Sequence, residues 1–221
     1  MSRVRTKLCG IMTVEDALAA VEAGADAIGM ILHAQARRRI EPELAREIVQ
    51  ALPPYVTPVG VFVNALPARV LEIAQLVRLT TVQFHGNETI EDIRSVDPLK
   101  VIKAVRTDPH TVRDVLLELK ETSCKNLCGI LLETAVPGST GGTGVANDFD
   151  LIELLRTEGA FEGLPPVIVS GGLTPQNVGK VVRRIRPYGV DVSSGIETEF
   201  GKKSPEKMRD FVKQAMSGCH G

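Results

Sequence analysis

Eight short runs rich in valine, isoleucine and leucine punctuate the chain, and a stretch with helical spacing follows each of them. The runs occupy 6–9, 27–32, 58–62, 81–84, 101–105, 127–132, 166–169 and 190–193. As a group they lose the apolar/polar alternation of half-exposed strands. That loss marks strands covered on both faces, as in a parallel sheet under helical crossovers. The intervening stretches carry helix start and stop signals. Thr13-Val14-Glu15-Asp16 reads as a capping box, with Leu18 and Val21 on one face and Gly24 as the stop. Pro42 occupies a first helical position ahead of Leu44, Ile48, Val49 and Leu52, and Pro53-Pro54 ends that helix. Asp108-Pro109, Thr174-Pro175 and Ser204-Pro205 repeat the cap-then-proline device, the last before Met208, Phe211 and Val212.

About eight βα units of roughly 25 residues fill such a chain with nothing left for a second domain. An open doubly wound sheet should show a glycine-rich phosphate loop after its first strand. Here the first run ends in Cys9-Gly10-Ile11-Met12. The phosphate-like clusters stand at the far end instead: Ser170-Gly171-Gly172 after the seventh run and Ser193-Ser194-Gly195 after the eighth. Glycine lets backbone N–H groups approach an anion without a Cβ in the way. Loops after strands 7 and 8 form the phosphate cup of many barrels. The expectation is therefore the α/β class, as a single (β/α)8 TIM barrel of eight parallel strands and one domain over 1–221.

Composition narrows the function. Twenty-six basic against 27 acidic residues leave a net charge of −1, so no global field recruits nucleic acid or a membrane surface. No apolar run reaches the ~18 residues of a membrane span, and the charged start Met1-Ser2-Arg3-Val4-Arg5 has no apolar signal core. A cytoplasmic enzyme is expected, monomeric by default with a homodimer as the alternative. Cys124 and Cys128 lack the spacing of a metal knuckle and read as small hydrophobes near a strand start.

In a barrel, chemistry sits at the C-terminal ends of the strands. That rule selects Cys9, Arg38, Asn64, Gln83, His85, Lys103, Glu133, the cluster Ser170 to Gly172 and the segment Asp191 to Gly195. A thiol and a carboxylate across one mouth can work as an acid–base pair, and a phosphate cup beside them would anchor a small phosphorylated substrate.

Six motifs then carry a resemblance, in order: Lys7-Leu8-Cys9-Gly10-Ile11, Gly60-Val61-Phe62-Val63-Asn64, Val82-Gln83-Phe84-His85-Gly86, Gly141-Gly142-Thr143-Gly144, Ser170-Gly171-Gly172-Leu173 and Asp191-Val192-Ser193-Ser194-Gly195-Ile196-Glu197. The chain resembles the phosphoribosylanthranilate isomerases from Lys7 to its final helix. The resemblance implies an Amadori rearrangement in tryptophan biosynthesis: N-(5-phosphoribosyl)anthranilate becomes 1-(2-carboxyphenylamino)-1-deoxyribulose 5-phosphate, without metal or cofactor.

It also implies roles. Cys9 matches the family's cysteine, the general base. Lys7 shares its strand face but lies about two positions deeper, so it is not an obvious source of a shifted thiol pKa. The family's aspartate, the general acid, is here Glu133 in Leu131-Leu132-Glu133-Thr134, one methylene longer. Arg38 matches the arginine for the anthranilate carboxylate, with the register open among Arg37, Arg38 and Arg39, and with Ala36 where the family often has serine. Gln83 and Asp191 would bind the sugar. Ser170, Gly171, Gly172, Ser193, Ser194 and Gly195 would bind phosphate. His85 reads equally as a loop-holding residue, and Gly141 to Gly144 as a loop over the mouth. Two other readings remain: a different sugar-phosphate isomerase or epimerase on the same barrel, and a catalytically silent phosphate-ligand-binding protein.

Overall fold

A computed structural model describes residues 3–122, 124–133 and 149–218. Its strands are β1 Arg5–Cys9, β2 Ala27–His33, β3 Thr57–Phe62, β4 Thr81–Phe84, β5 Lys100–Arg106, β6 Leu127–Glu133, β7 Val167–Val169 and β8 Gly189–Val192. They pair in parallel in chain order, and β8 closes onto β1. Each expected run lies within one residue of an observed strand at either end. Each strand leads to a helix: α1 Val14–Glu22, α2 Pro42–Ala51, α3 Pro67–Val77, α4 Ile90–Ser95, α5 Val112–Glu121, α6 Phe149–Thr157, α7 Val178–Ile185 and α8 Pro205–Ser217.

Strand alternation divides the core in two. Leu8, Ile28, Met30, Phe62, Phe84 and Ile130 are fully buried with Ile48, Ile73 and Phe211 of the helices, in one continuous apolar cluster. Each such side chain contributes about 1.5–3 kcal/mol by leaving water. The alternate residues of β1, β3, β4 and β8 point into the barrel, where Lys7, Cys9, Val61, Gln83 and Asp191 lie. Polar residues are concentrated there.

Several helix signals hold. The Thr13 hydroxyl accepts from the Asp16 N–H, Gly24 takes φ +87 beyond α1, and the Ser204 hydroxyl accepts from the Lys207 N–H. Others need correction. α1 turns Ala17 and Ala20 into the core and leaves Leu18 41% exposed, because the small residues allow the closer approach. Asp108-Pro109 and Thr174-Pro175 do not cap helices. Asp108 accepts from the His110 N–H and Asn177 from the Thr174 N–H, closing turns that delay α5 and α7 by about one turn. Cys124 packs half-buried, but Cys128 is exposed. One feature had no sequence signal: a hairpin of β9 Glu197–Glu199 and β10 Lys202–Lys203 between β8 and α8. Among the described residues no helix is long and apolar enough to cross a membrane.

Candidate active site

A cavity of about 270 Å³ opens at the C-terminal end of the barrel. Cys9, Arg38, Gln83, Glu133, Ser170, Asp191 and Ser193 line it, so candidates from five strand ends and the loop after β2 meet in one bowl. Gly141 to Gly144 fall outside the described residues. Asn64 and Lys103 serve as scaffold. Glu88 accepts from the N–H groups of Asn64 and Gly86, and Lys103 Nζ lies 2.8 Å from Glu88 Oε2 and 2.7 Å from the Gly86 carbonyl. This network braces the turn that follows His85.

One wall is an array of alternating charge. Lys7 Nζ lies 2.8 Å from Asp191 Oδ1, both residues almost wholly buried, and Ser170 Oγ donates to Asp191 Oδ2 at 3.2 Å. Burial disfavours the Lys7 ammonium, but Asp191 beside it holds its pKa above the ordinary lysine value. The Lys7 charge also acts on the Cys9 thiol. The sequence-based separation of Lys7 from Cys9 is therefore wrong, because a four-carbon stem spans the two-residue rise of a strand. Gly29 of β2, in register with Cys9, makes the meeting space. A Cβ there would stand 2.6 Å from Cys9 Sγ and 3.0 Å from Lys7 Nζ. Burial dominates and holds the Cys9 thiol above its ordinary pKa, and the Lys7 charge pulls against that rise.

Arg38 is buried and forked onto Glu197 through Nε and Nη2, each at 2.8 Å. Lys203 Nζ reaches the same carboxylate at 2.9 Å and the Ser193 carbonyl at 2.9 Å. Burial opposes the Glu197 charge, but hydrogen bonds from Arg38 and Lys203 hold its pKa down at about 2. Among the described residues, two of the five guanidinium N–H donors of Arg38 are thereby used and three remain. Phe200, at the tip of the hairpin, lies 4.2 Å below the Arg38 guanidinium and 4.0 Å from that of Arg37. Arg37 and Arg38 both line the cavity, whereas Arg39 pairs with Glu41. Lys7, Lys203, Glu197 and Phe200 were not among the sequence candidates. Only Glu197 and Lys7 stood inside quoted motifs.

On another wall, His85 Nε2 lies 2.5 Å from Glu133 Oε2 and Gln83 Nε2 lies 2.7 Å from His85 Nδ1. Gln83 Oε1 is buried and has no hydrogen-bond partner among the described residues. An acceptor so placed suits a ligand hydroxyl. Beside Ser170, Gly171 and Gly172 take φ +91 and +65, which suits glycine. A Cβ on Gly195 would stand 1.9 Å from the Leu173 carbonyl, so the turns after β7 and β8 press directly together. Among the described residues no group of three His, Cys, Asp or Glu could hold a metal ion.

Residues 6–214 match the family model of N-(5′-phosphoribosyl)anthranilate (PRA) isomerase. The N-(5′-phosphoribosyl)anthranilate isomerase of Pseudomonas putida is 44% identical, over 97% of this chain and 100% of the relative. The crystal structure of phosphoribosyl anthranilate isomerase from Thermotoga maritima superposes with a TM-score of 0.83 at 40% identity, covering 96% of this chain and 98% of that one. A further structure of such an isomerase, in complex with reduced 1-(o-carboxyphenylamino)-1-deoxyribulose 5-phosphate, superposes with a TM-score of 0.81 at 38% identity and the same coverage.

Proposed function

The chain belongs to the N-(5′-phosphoribosyl)anthranilate isomerase family, and on that premise we propose that it catalyses the family's Amadori rearrangement in tryptophan biosynthesis. The substrate is a small phosphorylated aminoaldose, N-(5′-phosphoribosyl)anthranilate, and the product is 1-(2-carboxyphenylamino)-1-deoxyribulose 5-phosphate. The observation that carries this reading is the sharing of one cavity by Cys9, Glu133, Ser170 and Ser193. A base, an acid and a phosphate dock thereby surround one small ligand.

Glu133 is the general acid. Its proton goes to the ring oxygen, the C1–O bond breaks, and the nitrogen lone pair makes the C1 iminium. Cys9 is the general base. Its thiolate takes the C2 proton, and the C–H electron pair forms the C1=C2 bond of an enolamine. A proton then adds to C1 and another leaves the C2 hydroxyl, so the ketone forms with no net loss of atoms. Positioned proton transfer of this kind typically contributes ~10²–10⁴-fold. The scheme invokes no metal or organic cofactor.

Binding follows the charges. The three remaining Arg38 donors present a second fork suited to the anthranilate carboxylate. Gln83 Oε1 and Asp191 accept from sugar hydroxyls. The hydroxyls and N–H groups of Ser170, Gly171, Gly172, Ser193, Ser194 and Gly195 hold the phosphate. A monomer working in the cytoplasm completes this reading.

The test is to mix purified protein with freshly made substrate and follow the loss of anthranilate-type fluorescence. Turnover is expected in the wild type, with losses of about 10²-fold or more in Cys9→Ser and in Glu133→Gln. Binding without turnover in the wild type would leave only the silent phosphate-binding reading.

A further inference from the structure

Lys7 is a fully buried cation, and the proton transfers above do not use it. A buried ammonium needs a partner, and Asp191 supplies one at 2.8 Å. Ion pairing alone does not account for where the head group lies. Lys7 pairs in register with Asp191, while Cys9 pairs with Gly29 one turn of the pleat higher. The ammonium nevertheless rises to the space over Gly29 and shares it with the sulfur, within 3.0 Å and 2.6 Å of one and the same point.

The charges around the sulfur point the same way. Lys7 on β1, Lys203 on β10 and Arg38 after β2 are three cations; Asp191 on β8 and Glu197 on β9 are two carboxylates. An ionised Cys9 is the third anion and brings the set to neutrality. Arg37, also on the cavity wall, stacks over the Phe200 ring, and His85 faces Glu133 rather than the sulfur. Removing one cation from this desolvated set leaves an excess negative charge once the thiol ionises, and low-dielectric surroundings magnify that cost.

We propose that Lys7 is a positioning residue whose ammonium eases the ionisation of Cys9 and pairs with the thiolate that takes the substrate's C2 proton, with Asp191 fixing where the ammonium points. The proposal rests on the reading of Cys9 as the base. Lys203 is the weaker contributor, because its donors go to Glu197 and the Ser193 carbonyl.

The decisive measurement is the midpoint of Cys9 ionisation, from ultraviolet thiolate absorbance and iodoacetamide alkylation against pH, each corrected with the Cys9→Ser protein. Lys7→Gln should raise the midpoint by about one pH unit or more, a tenfold loss of thiolate on the acid side. The low-pH limb of kcat/KM should move with it. Lys7→Arg should restore both toward wild type, and Lys203→Gln should move them less. A folded Lys7→Gln protein with an unmoved midpoint overturns the proposal, since a purely structural lysine lowers activity at every pH alike.

If Lys7→Gln does not fold, the wild type still decides. The nitrogen NMR shift of the Lys7 ammonium should titrate with the Cys9 midpoint, and that titration should vanish in Cys9→Ser. A Lys7 signal indifferent to Cys9 overturns the pairing. The two readings fail separately: full activity in Cys9→Ser removes the base assignment, whereas an unmoved midpoint removes only the role of Lys7.

Discussion

His85 Nε2 and Glu133 Oε2 are 2.5 Å apart at the rim of the barrel, each side chain about 15% exposed. On the other side of the ring, Gln83 Nε2 lies 2.7 Å from His85 Nδ1. The extra methylene of glutamate gives the carboxyl the length to meet an imidazole projecting from β4, two strands away around the barrel wall. A carboxyl group held by that contact is fixed in orientation, which suits an acid that must deliver its proton at a fixed atom.

This contact sets the order of effects at Glu133. Glu133→Gln keeps the shape but removes the transferable proton, and kcat should fall by about 10²–10⁴-fold. Glu133→Asp keeps the acid and gives up the reach to His85, so it should retain most of the activity, within about tenfold of wild type. His85→Asn should lower kcat by a similar modest factor while leaving KM nearly unchanged. Steady-state kinetics on the three variants check the order. An aspartate variant as poor as the glutamine one would sink the acid assignment.

Glu197 should prove a stability residue with a pH signature. Its carboxylate pairs with both Arg38 and Lys203 inside the wall. Glu197→Gln removes the carboxylate that both cations share, and urea unfolding should show a loss of about 3–5 kcal/mol. The sign follows from the folded pKa of about 2, which lies below the unfolded carboxylate value. The stabilisation is complete above the unfolded pKa, ~4.3, and drains away as pH falls toward the folded value. The wild type should therefore lose stability over that window more steeply than the Glu197→Gln protein.

Phe200 should govern substrate affinity with little effect on the chemistry. Its ring supports both Arg37 and Arg38, about 4 Å from each guanidinium, at the cavity edge. A cation–π contact of this kind contributes roughly 0.5–2 kcal/mol. Phe200→Ala should raise KM by about 2–30-fold on that scale, with kcat within a few-fold, and Phe200→Tyr should restore KM. A selective loss of kcat would assign the ring a different role.

The strands were legible because parallel strands under helices must be apolar along their length, and their ends are marked by glycine, proline and polar residues. Cys9, Glu133 and the Ser170 and Ser193 clusters were legible by position, since a barrel presents its chemistry where its strands end. The opening of α1 was legible too, through the hydroxyl cap of Thr13. Asp108-Pro109 and Thr174-Pro175 misled because the same residue pair closes a turn as readily as it caps a helix. Leu18 misled because α1 carries two apolar stripes, and only the neighbouring sheet selects between them.

What the amino-acid order determined by itself was the alternation of buried runs and amphipathic stretches, and with it the closed barrel and the placement of a thiol, a carboxyl and two glycine clusters at one end. What tertiary structure alone decided was which charges meet: Lys7 with Cys9 and Asp191, Arg38 and Lys203 with Glu197, His85 with Glu133. The physical reason is one of range. Hydrophobic periodicity acts over a few residues and is written locally. The partner of a buried charge is whatever the barrel's closure brings within about 3 Å, here residues as far apart in sequence as Lys7 and Asp191.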